Sequence, residues 1–307
     1  MNSLAGHLDD YLRIRRGLGA KLDRPERDLR DFVADMAARR QDVVTAAAAC
    51  QWAVTLRPGQ SSLAPSRAPR RIEAVRGFAA YLRAIDEAHE VPPADGFGRR
   101  ASRTTPHIWS VAEIDALMAA LKTLCRYGRH ITYPALFGLL ATTGLRVGEA
   151  LHLARDEVDL DDGVLTITWG KSRNPRLVPL HPTTTLALRN YDEHRPGNPP
   201  AADQTFFTHG DGGPLPYCNT LYAFHHACHA AGLDKPMPRI HDLRHTFAVN
   251  TLLDWQRNGQ DINAAMPVLS TYMGHINPKG TYWYLTAIPE LMSIAADRLA
   301  ANETRLP

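Results

Sequence analysis

One stretch, GVLTITWGKSRNPRLVPL at residues 163–180, is the only segment of this 307-residue chain with a clear β pattern. Val164, Thr166 and Thr168 alternate with Leu165, Ile167 and Trp169, and after GKSRNP a short RLVPL run returns. A period of two predicts a hairpin with Lys171 at its turn. The other periodic segments carry helical spacing. Such a chain must bury helix faces against one another and find room for one small sheet. The expected fold is mainly α (α+β): a helical N-terminal domain, then a mostly helical domain with a small antiparallel β-sheet.

The length favours two domains over a single core. Within residues 1–90, LDDYLRIRRGLG, ERDLRDFVADMAARR and RRIEAVRGFAAYLRAIDEAH place apolar residues three and four apart with charge between them, which predicts amphipathic helices. VTLRPGQSSLAPSRAPRR interrupts them with proline, glycine and serine and reads as a loop. Residues 91–108 hold proline, glycine and basic residues without periodicity, the expected interdomain linker. A second domain, 109–307, opens on SVAEIDALMAAL, where Ser110 and Glu113 have capping-box spacing. Helical patterns resume at TTTLALRNY, NTLYAFHHACHAAG, HDLRHTFAVNTLLDW and PELMSIAADRLA.

The net charge of +3 says little by itself, but its distribution says more. Arg57, Arg67, Arg70, Arg71, Arg76 and Arg83 face one acid, Glu73, between residues 57 and 83. That excess suits a polyanion such as nucleic acid. Apolar runs such as ITYPALFGLLATTGL are too short and too interrupted to span a bilayer. MNSLAGHLDDYLRIRR lacks the order of a signal peptide, so a cytoplasmic location is expected. Four cysteines without CxxC spacing read as free thiols.

Three motifs could carry chemistry. In HDLRH, His241, Arg244 and His245 share one helix face. They are either a solvated basic face or, at a helix start, part of an anion site. In TTGLRVGEALHL, Arg146 and Glu149 stand three apart on an otherwise apolar helix. They form either a structural ion pair or a pair in which the carboxylate holds a guanidinium toward a phosphate. Lys171 is either a solvated turn residue or a mobile cation able to reach a ligand. VDLDDGV (158–164) fails the spacing of a calcium loop and reads as a turn. His225 and His229, beside Cys228, have the spacing of a zinc pair without a second pair to complete it. No metal and no cofactor are expected.

Taken together, TGLRVGEAL, GKSRNPRLVPL, HDLRHTFA and LSTYMGH followed by a tyrosine resemble the catalytic domain of the tyrosine recombinase (phage integrase) family, in the same order along the chain. The resemblance covers about residues 106–295 and is nearest to transposon- or plasmid-borne members. It implies catalytic roles for Arg146, Lys171, His241, Arg244 and His275, support from Glu149, and a tyrosine nucleophile. The family's tyrosine typically lies nine residues past the Gly-His histidine, which selects Tyr284 over Tyr282 and leaves Tyr282 and Trp283 as packing residues.

The implied activity is site-specific cleavage and rejoining of double-stranded DNA through a 3′-phosphotyrosine link, in a homotetramer on paired sites. Docking between subunits would use the amphipathic C-terminal segment. The N-terminal helices resemble the family's DNA-clamping domain, and Arg67, Arg70, Arg71 and Arg76 are its expected DNA contacts. In this reading Arg146 and Arg244 each donate two parallel hydrogen bonds to the phosphate. His241 takes or relays the tyrosine proton, His275 bonds the phosphate, and Lys171 protonates the leaving 5′-oxygen. Two alternatives share part of these features: a type IB-like topoisomerase, and a catalytically silent DNA-binding accessory protein.

Overall fold

Helix faces do most of the burying, as the periodicity requires. The computed structural model describes residues 3–56, 62, 66–94, 105–124, 128–169, 175–195, 204–275 and 280–281. The chain divides into two units, Met1–Thr104 and Thr105–Pro307.

Unit 1 consists of α1 (Leu4–Gly17), α2 (Asp23–Ala38), α3 (Ala46–Val54) and α4 (Arg67–Arg83). Their apolar stripes close on a core that includes Leu12, Phe32, Trp52, Val75 and Phe78. One charge lies inside it. Arg71 is only 1% exposed, with its guanidinium 4.8 Å from the centre of the Trp52 ring. It donates to the carbonyls of Trp52 (3.2 Å), Ala53 (3.2 Å) and Thr55 (2.8 Å) at the end of α3. A helix leaves its last carbonyls without intrahelical donors and carries partial negative charge there. Arg71 satisfies both needs at once. Its expected role as a DNA contact is therefore corrected to a structural one, because no face of it is available to a phosphate.

Unit 2 runs α5 (Val111–Lys122), α6 (Arg129–Thr143), α7 (Val147–Leu151), β1 (Val158–Asp159), β2 (Val164–Ile167), β3 (Arg176–Pro179), α8 (Pro182–His194), α9 (Tyr217–Ala230), α10 (Ile240–Arg257) and α11 (Ile262–Tyr272). The capping box opens α5: the Glu113 amide donates to Ser110 Oγ (3.2 Å), and the Ser110 amide donates to the Glu113 carboxylate (2.8 Å). The hairpin pairs antiparallel with Leu165 opposite Val178 and Ile167 opposite Arg176. A third strand precedes it, β1, paired with β2 through Val158 and Leu165. The VDLDDGV turn lies between them, with the amides of Asp161 (3.0 Å) and Asp162 (2.9 Å) donating to Asp159 Oδ1. Two residues of strand are too short to show a period, so only the turn was readable beforehand.

Leu165 and Ile167 point into a core shared with Leu136, Phe137 and Phe224. A second apolar cluster joins α10 to α11 through Val249, Leu252, Met266 and Leu269. Arg244 sits on α10 between Leu243 of the first cluster and Ala248 of the second, so packing on both sides holds this helix. Cys50, Cys218 and Cys228 are free thiols. Among the described residues no helix is long and apolar enough to cross a membrane, and no group of three or more His, Cys, Asp or Glu could hold a metal ion. His229 instead faces Asp234, with Nδ1 2.9 Å from the carboxylate.

Replacing Arg71 by methionine roughly keeps the volume but removes the guanidinium from three carbonyls at the end of α3, of which, among the described residues, only that of Trp52 keeps a second donor, the Thr55 amide. The expected loss of unfolding free energy in urea is about 2–4 kcal/mol. A loss below about 0.5 kcal/mol would show that water serves these carbonyls equally well.

Candidate active site

The TTGLRVGEALHL stretch is not one continuous helix. α6 stops at Thr143, Gly144 takes a left-handed conformation (φ 62°), and Arg146 is the extended residue capping the short α7. A Cβ on Gly144 would lie 2.5 Å from the Phe247 ring, so glycine is required there on two counts. The break changes what Arg146 can do. Its backbone amide donates to Glu149 Oε2 (3.0 Å) and its Nη1 donates to Glu149 Oε1 (2.7 Å). Nη2 reaches the carbonyl of Gly274 at 2.9 Å, 128 residues along the chain. The Arg146 side chain stays 25% exposed, with further N–H donors to offer.

Glu149 is 1% exposed and serves a second arginine. Arg176, the first residue of β3, donates Nη2 to Glu149 Oε2 at 2.7 Å and Nη1 to Oε1 at 3.3 Å. Burial pushes the Glu149 carboxyl up. The hydrogen bonds from Arg176 and the Arg146 amide, with the two guanidinium charges, outweigh that and hold its pKa below the usual carboxylate value.

Arg244, 2% exposed on α10, converges on the same turn. Its Nη1 donates to the Gly144 carbonyl (2.6 Å), and its Nη2 donates to the Met273 carbonyl and lies 3.1 Å from His275 Nε2. A guanidinium has no acceptor, so Nε2 presents its lone pair and the His275 proton sits on Nδ1, 2.7 Å from Thr281 Oγ1. Desolvation, then Arg244 and Arg146, lower the His275 pKa to about 4. The His241 ring meets His245 edge-on, centres 4.7 Å apart. His241 is lowered to about 4 by desolvation and by the charges of Arg244 and Arg146. Because the residue as a whole is exposed, the two fixed guanidiniums are the durable part of that cause.

Two expectations change here. Arg244 is not a free fork with two parallel bonds to give: a buried guanidinium must be hydrogen-bonded, and its Nη atoms already serve the Gly144 and Met273 carbonyls and His275. The start of α10 is not an open anion site either. The buried Asp242 carboxylate accepts from the Arg239 amide (2.8 Å) and pairs with its guanidinium (2.6 Å).

A profile of the phage integrase family matches residues 110–290, most of unit 2 and every motif above. The chain belongs to this family. It is a tyrosine recombinase, a DNA strand transferase by class. A protein of Sinorhizobium fredii named as an integrase/recombinase, y4rB, is 39% identical over 97% of this chain and 98% of its own length. The tyrosine recombinase XerD of Chlorobaculum tepidum is 30% identical, covering 72% of this chain and 71% of its own. Among solved structures, the Tn1549 transposon integrase in complex with circular intermediate DNA superposes with a TM-score of 0.65 at 16% identity, over 95% of this chain and 99% of that one. XerH bound to its difH substrate in a post-cleavage complex gives 0.64 at 18%, over 96% and 84%. At these identities the two structures establish the mainly helical fold with its small sheet.

In this recombinase Arg146 and Arg244 meet at the turn Met273–His275, with Glu149 bound to Arg146 and His241 near enough for both guanidinium charges to act on it. Lys171 and Tyr284 lie outside the described residues, as do Tyr282 and Trp283. Sequence reading missed Arg176; the available signal was a charge at the inward-turned head of RLVPL, whose next inward residue, Val178, is buried. In unit 1, Arg67 and Arg70 line a concavity of about 330 Å³ with Arg24, Arg27 and Asp28, so α2 adds two cations to the expected pair. Arg76, half-buried, donates to the Pro92 carbonyl.

His241, His245 and His275 all have pKa values lowered from 6.5 to about 4. The unfolded chain takes up protons that the folded protein refuses, so stability is full above pH 6.5 and is lost as pH falls toward 4. His275→Gln should flatten that decline by about a third in urea melts between those pH values. An unchanged slope would mean that His275 titrates as it does in water.

Proposed function

We propose that this integrase cleaves duplex DNA at a specific site by attack of Tyr284 on one phosphodiester. The product is a 3′-phosphotyrosine link, which a 5′-hydroxyl of another strand resolves by the reverse reaction. The observation that carries this reading is the convergence of Arg146 and Arg244 on consecutive carbonyls of one turn, which concentrates two positive charges where a phosphate gains negative charge in the transition state.

The roles follow from the geometry and the family motifs. Arg146, partly open, contacts a nonbridging oxygen directly, while Arg244 acts as a fixed buried charge that also holds His275. Loss of either guanidinium is expected to cost on the order of 100- to 1000-fold in cleavage. His241, neutral at pH 7, is able to accept the phenol's proton, and the incoming phosphate raises its basicity by offsetting the guanidinium charges. Lys171 delivers a proton to the leaving 5′-oxygen, and Glu149 aims Arg146. The concave face of Arg24, Arg27, Arg67 and Arg70 grips the DNA backbone. Paired sites call for a homotetramer, with residues 288–307 as the docking segment, acting in the cytosol where the DNA is.

The test uses a duplex made from the ends of the encoding element, nicked just 3′ of the scissile phosphate, so that the short fragment diffuses away and the adduct is trapped. The wild type is expected to give a shifted band on a denaturing gel, retained in Tyr282→Phe and lost in Tyr284→Phe. An adduct that survives in Tyr284→Phe would move the nucleophile elsewhere. Separately, Arg24→Ala and Arg27→Ala should each lower the slope of log K against log salt by about 1, with no change in sequence preference. A wild-type slope in both would remove α2 from the DNA contact.

A further inference from the structure

Arg176 is the most tightly held charged group at the site with no role in the reaction as described. Its side chain is 9% exposed. Nε donates to the Tyr272 carbonyl at 2.8 Å, and both Nη atoms donate to Glu149. With every named donor aimed inward, it has no geometry for touching a phosphate. It stands opposite Ile167 at the loop end of the β2–β3 pairing, so one side chain ties the hairpin to α7 and to the turn after α11.

We infer that Arg176 is a positioning residue for phosphate activation, acting in two ways through its neighbours. The first is electrostatic. Glu149 and Arg146 alone form a pair of zero net charge, which would offer little to an anion. The carboxylate is buried and ionised between two guanidiniums, so the triad Arg146–Glu149–Arg176 carries a net charge of one positive. The most exposed member of that triad, Arg146, presents it. Arg176 thus lets Glu149 orient Arg146 without cancelling it.

The second way is mechanical. The bond to the Tyr272 carbonyl fixes the entry to Met273–Gly274–His275, whose carbonyls hold Arg244 and Arg146. Gly274 has φ 61°, and a Cβ there would lie 2.9 Å from Arg176 Nη1. The glycine before His275 is thereby explained by the guanidinium that passes over it.

This inference rests on the reading that Arg146 stabilises the scissile phosphate, and the test separates the two. Adduct formation is measured on the nicked duplex that the wild type cleaves, carrying either a normal phosphodiester or a neutral methylphosphonate at the scissile position. Arg146→Ala, Arg176→Met and Arg176→Lys are compared, with DNA affinity and urea melts confirming folded protein. A methylphosphonate carries no charge to neutralise, so a defect in presenting positive charge shrinks on it, whereas a general loss of structure affects both substrates alike.

Arg176→Met is expected to lose about 100-fold or more on the phosphodiester, at unchanged DNA affinity, and at least about tenfold less than that on the methylphosphonate. Should Arg176→Met fail to fold, Arg176→Lys carries the test: it keeps the charge but lacks the fork and the Tyr272 bond. It is expected to lose about tenfold with the same substrate pattern. Equal losses on both substrates, or wild-type rates in the folded variant, would overturn the inference while leaving the reading of Arg146 intact, provided Arg146→Ala shows the methylphosphonate pattern. Equal losses in Arg146→Ala itself would overturn that earlier reading and the inference with it.

Discussion

Glu149 is a buried carboxylate, and the order of the surrounding site follows from its need for compensation. An ionised carboxylate at 1% exposure is tolerated only with cations and donors close on it. This one collects the Arg146 amide, the Arg146 guanidinium and the Arg176 fork. Those partners come from a helix cap and a strand, and they extend the network to the turn after α11. Charge compensation, a local requirement, thereby assembles segments that are distant in sequence.

The same site illustrates how a cationic centre is kept concentrated without flying apart. Arg146, Arg176 and Arg244 lie together with His241, His245 and His275. Repulsion is limited because the three rings stay neutral, their pKa values lowered to about 4, and because backbone carbonyls of Gly144, Tyr272, Met273 and Gly274 accept from the guanidiniums. Left-handed glycines at 144 and 274 aim two of these carbonyls. The centre is thus organised around positive charge by bonds within the protein itself, the arrangement a preformed electrostatic site requires.

Unit 1 uses arginine in two opposite ways within one turn of α4. Arg70 lines the open concavity with Arg67, while Arg71 is sealed beneath Trp52 as a cap for α3. Adjacent residues on a helix point about 100° apart, so neighbouring arginines meet different environments. Composition alone counts them as one basic cluster.

Much of this protein was legible from residues alone. Helical periodicity, the hairpin and the capping box depend on neighbours within a few positions, and the hairpin and the capping box formed where their spacing indicated; the helix read through TTGLRVGEALHL is instead broken at Gly144, and the one read at PELMSIAADRLA lies outside the described residues. The motifs carrying Arg146, Glu149, His241, Arg244 and His275 were legible too, through their resemblance to a family to which the chain belongs. What tertiary structure alone decided was how each charge is spent. Arg71 is buried because α3 ends beside it, Arg244 is committed to carbonyls 100 and 29 residues away, and Arg176 joins the site because a strand starts under a glycine turn. Such outcomes depend on which backbone carbonyls are left without donors after packing, and a linear pattern does not encode that.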